Sequence, residues 1–369
     1  MSPAARIPFI DLRPHEDAAA VRAAIDRVIA RGRFVLGPEV DAFETAFAAA
    51  CGARAAVGVG SGTDAIALAL RALGIGRGDE VLVPAMTAAY TALAVVSAGA
   101  SPVFVDVDPD TLTMAPDACG AAVTPRTRAM VPVHLYGQAA RMRELAAIAG
   151  RHSLAVVEDC CQAHLATAEG TPVGTIGHAG AFSFYPTKNL GALGDAGAVV
   201  TNDATLAARI RRLRNGGQTD RYHHVEAGAN SRLDELHAAV LAARLPYLAA
   251  WTMRRRQLAG FYRAACADAG IDAIRERDPG HVYHLFPVRS PARDALQRHL
   301  AAAGIETLIH YPVPLPAQEA FAAARSASAP VAAQAAAELL SLPLHPWLGD
   351  AEAASVAEAL ARFRQRTPA

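Results

Sequence analysis

The stretch FSFYPTKNLG, Phe182 to Gly191, decides how this chain is read. It holds Lys188, the only lysine among 369 residues; Lys and Arg together number 35, so every other strong cation is an arginine. Arginine pairs with carboxylates, binds phosphate and keeps a surface solvated. It does not give up its proton, whereas a lysine amine can be tuned down to attack a carbonyl. Schiff-base chemistry therefore needs lysine itself. The bland alternative is a leftover surface lysine in an arginine-biased chain, and the surroundings of Lys188 decide between the two.

Composition describes a globular, enzyme-sized chain. Hydrophobic residues make up 52% and charged residues 19%, which argues against disorder. The length suits one large and one smaller domain, placed here at 1–248 and 249–369. A formal net charge of zero gives no sign of a nucleic-acid or anionic-membrane partner. The opening MSPAARIPFIDLRPHEDAAAV lacks the basic-then-apolar order of a secretory leader. Apolar runs such as Ala65 to Leu70 meet a charge long before the ~20 residues of a membrane span. Five cysteines (Cys51, Cys119, Cys160, Cys161 and Cys266) are odd in number and match no zinc or disulfide spacing. A reducing cytoplasm is the expected setting, and no metal is expected.

Outward from the lysine, strand and helix patterns alternate. Strands are expected at 55–60, 80–85, 101–108, 128–137, 154–159, 179–186 and 197–202. Helices are expected at 63–74, 87–100 and 141–153. Strands apolar on both faces, alternating with helices, predict an α/β domain with a mostly parallel sheet covered on both sides. Ligands then bind at the carboxyl ends of the strands. After a helix over 231–248, a long helix (251–270), a strand (281–290), a helix (292–304) and a strand (305–312) predict a smaller α+β domain.

Three further elements give Lys188 a context. Asp159 closes the apolar run LAVVED. An acid there is costly without a cationic partner; it suits either a helix cap or the protonated ring nitrogen of pyridoxal phosphate, whose electron-sink chemistry needs that proton. Gly60, Ser61, Gly62 and Thr63 follow a strand and open a helix, an arrangement fit for a phosphate or for an ordinary capped start. The glycines do not follow G-x-G-x-x-G, so the dinucleotide fingerprint fails. Ser183 offers a second hydroxyl for the phosphate or is a plain strand serine. Gln162 is placed to hydrogen-bond a ring hydroxyl or is a polar loop residue. The conjunction of sink, cradle and amine says more than any one of them.

On these residues the chain resembles the DegT-type nucleotide-sugar aminotransferases, which use pyridoxal 5'-phosphate and have fold type I, the fold of aspartate aminotransferase. The matching segments span nearly the whole sequence: SGTDAIALAL, GASPVFVDVDPDTLTM, TPRTRAMVPVHLYGQ, VVEDCCQAH, GAFSFYPTKNLGALGDAGAVVTND, LRNGG, GANSRLDELHAAVL, IHYPVPL and SLPLHPWL. The resemblance implies Lys188 as Schiff-base residue and proton shuttle, and Asp159 as partner of the ring nitrogen. It implies Gln162 at the ring hydroxyl and Gly62, Thr63 and Ser183 at the phosphate. Asn230 is implied to reach the phosphate of a neighbouring subunit, which makes the protein a homodimer with shared active sites. Arg232, His310 and Tyr311 are implied as substrate contacts. One position departs from the family pattern. Ala88 stands where an aromatic ring is expected to stack on the cofactor, and Tyr90, two residues on, is the candidate substitute.

The implied reaction moves the amino group of L-glutamate to a keto group of a nucleotide-linked deoxysugar. YPTKNLGALGDAG is more similar to relatives acting at carbon 3; relatives acting at carbon 4 tend to carry a TTGEGG-like run. A lyase or desulfurase on the same fold, or a cofactor-binding regulator, are the alternatives. Cys160 and Cys161 are poorly placed for desulfurase chemistry, and no basic DNA-binding module is visible.

Overall fold

A strand with no polar face must be covered on both sides, and the central sheet is built that way. The computed structural model describes residues 6–363; the leader reading over residues 1–5 and the last six residues of the expected small domain lie outside them. Seven strands of the large sheet come first in the chain: β1 Ala55–Val59, β2 Glu80–Pro84, β3 Ser101–Val105, β4 Thr127–Met130, β5 Ala155–Asp159, β6 Ala179–Ser183 and β7 Gly197–Thr201. Three strands follow in a smaller sheet or its neighbourhood, β8 Asp272–Ala273, β9 Phe286–Arg289 and β11 Leu339–Leu342, with β10 Arg325–Ser326 between the last two. The large sheet has the order β1-β7-β6-β5-β4-β2-β3-β10. Only β7 runs against the rest, pairing antiparallel with both β1 and β6, so the sheet is mostly parallel and the class is α/β.

Helices α1 Ala18–Arg31, α2 Pro38–Ala50, α3 Gly62–Ala72, α4 Ala89–Ser97, α5 Pro116–Ala122, α6 Met142–His152 and α7 Ala204–Leu213 accompany these strands. Each begins where the local chemistry lets it. Ser61 caps α3 by accepting from the Asp64 amide at 3.1 Å, Asp203 caps α7 through the Thr205 and Leu206 amides, and Pro38 opens α2 at a position where its missing N–H costs nothing. Then come α8 Glu235–Arg244, the 22-residue α9 Leu248–Ala269, α10 Arg293–Ala302, α11 Pro330–Glu338 and α12 Asp350–Arg362. Among the described residues no helix is long and apolar enough to cross a membrane.

One face of the sheet packs Ile66, Leu70, Val83, Val131 and Val157. Phe43, Phe47, Phe182 and Phe184 form an edge-to-face aromatic block between α2 and β6, with ring centroids 5.0–5.3 Å apart across the two elements. A separate cluster gathers Leu258, Tyr262, Phe286, Leu342 and Leu360 around β8-β9-β11, and takes in Ile7 from the start of the chain. In return, β10 pairs with β3 in the large sheet and Ala332, Ala335 and Ala336 of α11 pack into the large core. The strand expected at 305–312 does not form. Ile305 and Leu308 make single bridges to Ile7 and Ser341, because two different neighbours take turns beside this segment and neither continues as a ladder. The strand expected at 281–290 shortens to β9, and the helix expected from 231 begins at Glu235.

Strand β5 ends in two acids, Glu158 and Asp159. Successive strand side chains leave on opposite faces, so the two part company. Glu158 is fully buried. It accepts from the amides of Gly174 (2.8 Å), Ile176 (2.8 Å) and Gly177 (2.7 Å), and lies 3.0 Å from His134 Nε2. His134 Nδ1 accepts from the Ala140 amide at 3.0 Å, so the ring proton sits on Nε2 and is donated to Glu158. Glu158→Ala leaves four buried donors without an acceptor, at about 1–3 kcal/mol for each unsatisfied group. Urea unfolding of that variant should show a loss of at least about 3 kcal/mol; a loss near zero would show that the carboxylate anchors nothing.

Candidate active site

The other acid of the pair turns into a cavity of about 570 Å³ at the carboxyl ends of the parallel strands. Asp159 is 5% exposed. Its Oδ2 accepts from Thr91 Oγ1 at 2.7 Å and its Oδ1 from the Cys161 amide at 3.1 Å. These two donors fix the carboxylate without neutralising it. Thr91 sits in the first turns of α4, one turn after Thr87, whose hydroxyl is 3.4 Å away.

Opposite Asp159 stands the start of α3. Ser61, Gly62 and Thr63 line the cavity, and the amides of a first helical turn are free to bind an anion. The backbone approach here is tight. A Cβ on Gly62 would lie 2.7 Å from Cys161 Sγ and 2.7 Å from Ser183 Cβ. One on Gly197 of β7 would lie 2.3 Å from the Ser61 carbonyl oxygen. Glycine at both places lets strand and helix start close on each other. Ser183 completes this end of the cavity.

Lys188 follows on the turn after β6, its amide donating to the Tyr185 carbonyl at 2.8 Å, and its side chain lines the same cavity. Burial pushes its pKa below the usual lysine value, while the neighbouring Cys161 and Asp159 pull the other way. The imidazoles around it are kept neutral. His164 is pushed down to about 3 by burial and then by Lys188, and His310 to about 4 by the same two causes. The Cys161 thiol is raised well above its ordinary value by burial and by Asp159, so it stays protonated beside the lysine.

Gln162 lies in the wall. Its Oε1 accepts from the Tyr136 amide at 2.7 Å, which turns its NH2 toward the Tyr311 hydroxyl at 2.9 Å. The Tyr136 hydroxyl in turn donates to the His310 carbonyl. The structure thus brings Gly62, Thr63, Asp159, Gln162, Ser183, Lys188 and Tyr311 to one cavity. Tyr90 lines it too but is 66% exposed, at the mouth, and Ala88 lies beside it as the N-cap of α4. Three expected residues are outside the lining. Asn230 is exposed and bridges to Asn215, Arg232 donates to Asn215 Oδ1 at 3.2 Å, and His310 Nδ1 lies 3.0 Å from Ser341 Oγ. Sequence reading missed Thr91, Thr87 and Tyr136. Only the four-residue spacing of the two threonines marks them, and that spacing says nothing of the acid they face.

A family model, the DegT/DnrJ/EryC1/StrS aminotransferase family, matches residues 15–361. The chain belongs to that family. Among its relatives is the dTDP-3-amino-3,4,6-trideoxy-alpha-D-glucose transaminase of Streptomyces venezuelae, 48% identical over 98% of this chain and 97% of that protein. The UDP-N-acetyl-3-dehydro-alpha-D-glucosamine 3-aminotransferase of Acidithiobacillus ferrooxidans is 45% identical over 96% of this chain and 97% of its own. The crystal structure of S. venezuelae DesV in complex with a ketimine intermediate superposes with a TM-score of 0.95 at 48% identity, covering 98% of this chain and all of that one. Family and fold together make this chain an aminotransferase.

Thr91→Val keeps the shape of the side chain and removes the donor to Asp159. A hydrogen bond to a charged group is worth about 1.5–3 kcal/mol, so turnover or cofactor affinity should fall about tenfold or more; unchanged kinetics would show that the Cys161 amide suffices. Gly62→Ala should weaken binding of a phosphorylated cofactor by at least about tenfold in a fluorescence titration, since the new methyl group fills the cradle.

Proposed function

We propose that this aminotransferase uses pyridoxal 5'-phosphate to move the amino group of L-glutamate to carbon 3 of a nucleotide-linked keto-deoxysugar. The observation that carries the cofactor is the pairing, in one cavity, of the chain's single lysine with a buried carboxylate that is hydrogen-bonded but, among the described residues, not ion-paired. The donor set fits the group. Asp159 suits a protonated ring nitrogen, the α3 amides with Thr63 and Ser183 suit the phosphate, and the tight approach at Gly62 leaves backbone exposed to it. Tyr90, at the mouth beside Ala88, is the aromatic ring available to the cofactor face.

When bound, the cofactor supplies an electrophilic carbon and an electron sink. The chain's own residues do the rest. Asp159 would hold the proton on the ring nitrogen. Lys188 Nζ would carry the proton removed from the donor's α-carbon, a role that requires the neutral amine; burial favours that form. Gln162, held by the Tyr136 amide, presents its NH2 to the ring hydroxyl or to Tyr311. Tyr311, in the cavity wall, is the substrate contact this reading favours, with Arg232 and His310 outside the lining.

The carbon-3 assignment rests on the likeness of the YPTKNLGALGDAG segment and on the relatives named for 3-amino sugars. A homodimer is supported by exposed apolar residues, Tyr90 and Tyr185 in the cavity lining and Leu93, Val96 and Leu193 close to them in sequence, and by Asn230, whose exposed position leaves it free to serve a partner's phosphate.

The purified protein with pyridoxal phosphate should show a visible absorption band that bleaches on addition of L-glutamate alone. A band that glutamate leaves unchanged would overturn the donor assignment and favour a lyase or regulator. Lys188→Ala should abolish turnover while retaining weak cofactor binding, and near-normal activity there would sink the assignment. Asp159→Ala should lower turnover by about a thousandfold, some 4 kcal/mol of barrier. NMR of the aminated sugar reads the carbon position directly, and substitution at carbon 4 would correct the subdivision.

A further inference from the structure

Behind Lys188, on the side of the small sheet, lies a second and much smaller cavity of about 20 Å³. Lys188 and Arg255 both line it, together with Arg244, Asp11, Trp251 and Trp347. Its volume suits one water-sized occupant and excludes a carboxylate or phosphate group.

Arg255 is unusual in this molecule. It lies on α9 at 3% exposure. One nitrogen, Nη1, donates to the carbonyls of Tyr283 (3.2 Å), His284 (3.3 Å) and Leu344 (2.8 Å). Nε is buried without a partner, and among the described residues no carboxylate forms an ion pair with Arg255. The other charges in the cavity wall are committed elsewhere. Asp11 is held by Arg13 and faces His15. Arg244 is bound to buried Asp17 at 2.7 Å and to the Gly191 carbonyl at 2.6 Å.

The remaining neighbours cannot supply a negative charge. His164, His284 and His345 all feel the charge of Arg255 and are held neutral chiefly by burial. Both ring nitrogens of His164 and of His345 are buried and unpartnered. Burial lowers the guanidinium itself only to about 10, so it is charged at neutral pH. A buried charge with carbonyl dipoles but no counter-charge is costly. A water molecule satisfies a donor but leaves the charge uncompensated, whereas a monatomic anion satisfies the donor and compensates the charge.

We propose that this cavity is a halide site, in which a chloride ion rests against Arg255 as its buried counter-ion behind Lys188. The inference is independent of which sugar the enzyme aminates.

The test compares the protein reconstituted with pyridoxal phosphate in sodium chloride, sodium bromide and sodium gluconate at matched ionic strength. Chloride and bromide should raise the unfolding midpoint in a saturating way, by about 2 °C at ten times the dissociation constant, and gluconate should not. Crystals grown in bromide should show an anomalous peak in van der Waals contact with Arg255. R255M, apolar and of similar length, should lose the saturating halide response. Equal midpoints in all three salts, the absence of a bromide peak at Arg255 in the unsubstituted protein, or a full halide response in R255M would each overturn the proposal. The bromide density needs no variant, so it decides the matter even if R255M does not fold.

Discussion

Two carboxylates in succession at the end of one buried strand hold this structure in register. The alternation of side chains along β5 sends Glu158 and Asp159 to opposite faces. Glu158 takes three backbone amides from the 174–177 segment and the Nε2 proton of His134. Because it is satisfied so fully, β5 cannot slip by a residue without exchanging the two acids, which would put Glu158 into the cavity and strand four donors. Asp159 is therefore aimed at the cavity by an interaction on the far side of the sheet.

Around Asp159 the site is organised by desolvation. Nearby imidazoles are driven neutral, the Cys161 thiol is held protonated, and Lys188 is brought down toward the range in which its amine acts as a base. The hydrogen bonds to Asp159 come from a hydroxyl and an amide, neither of which cancels its charge. The carboxylate remains available to a cationic ligand, which a guanidinium partner would have prevented.

Packing at the backbone level sets the width of the phosphate end. Gly62 and Gly197 allow α3, β6 and β7 to approach until a methyl group at either glycine would overlap its neighbours. On the opposite wall a chain of contacts runs from the Tyr136 amide through Gln162 to Tyr311, and from the Tyr136 hydroxyl to the His310 carbonyl. One buried tyrosine thus ties the large-sheet side of the site to the late segment carrying His310 and Tyr311.

Much of this was legible in the sequence. Apolar strands between helical patterns implied the parallel sheet, the single lysine implied its own chemistry, and the glycine-rich start of α3 marked a close approach. These signals are local: periodicity, residue type and short spacing carry them. The expected strand at 305–312 failed for a non-local reason, since its bridging partners, Ile7 and Ser341, lie far away in the chain. Thr91 was invisible for the same reason, as its meaning lies 68 residues away in Asp159. The sequence alone determined which side chains could do carbonyl chemistry and that a buried sheet would carry them. Only the tertiary structure decided their protonation and orientation, because desolvation and hydrogen-bond direction depend on which distant groups close around each one.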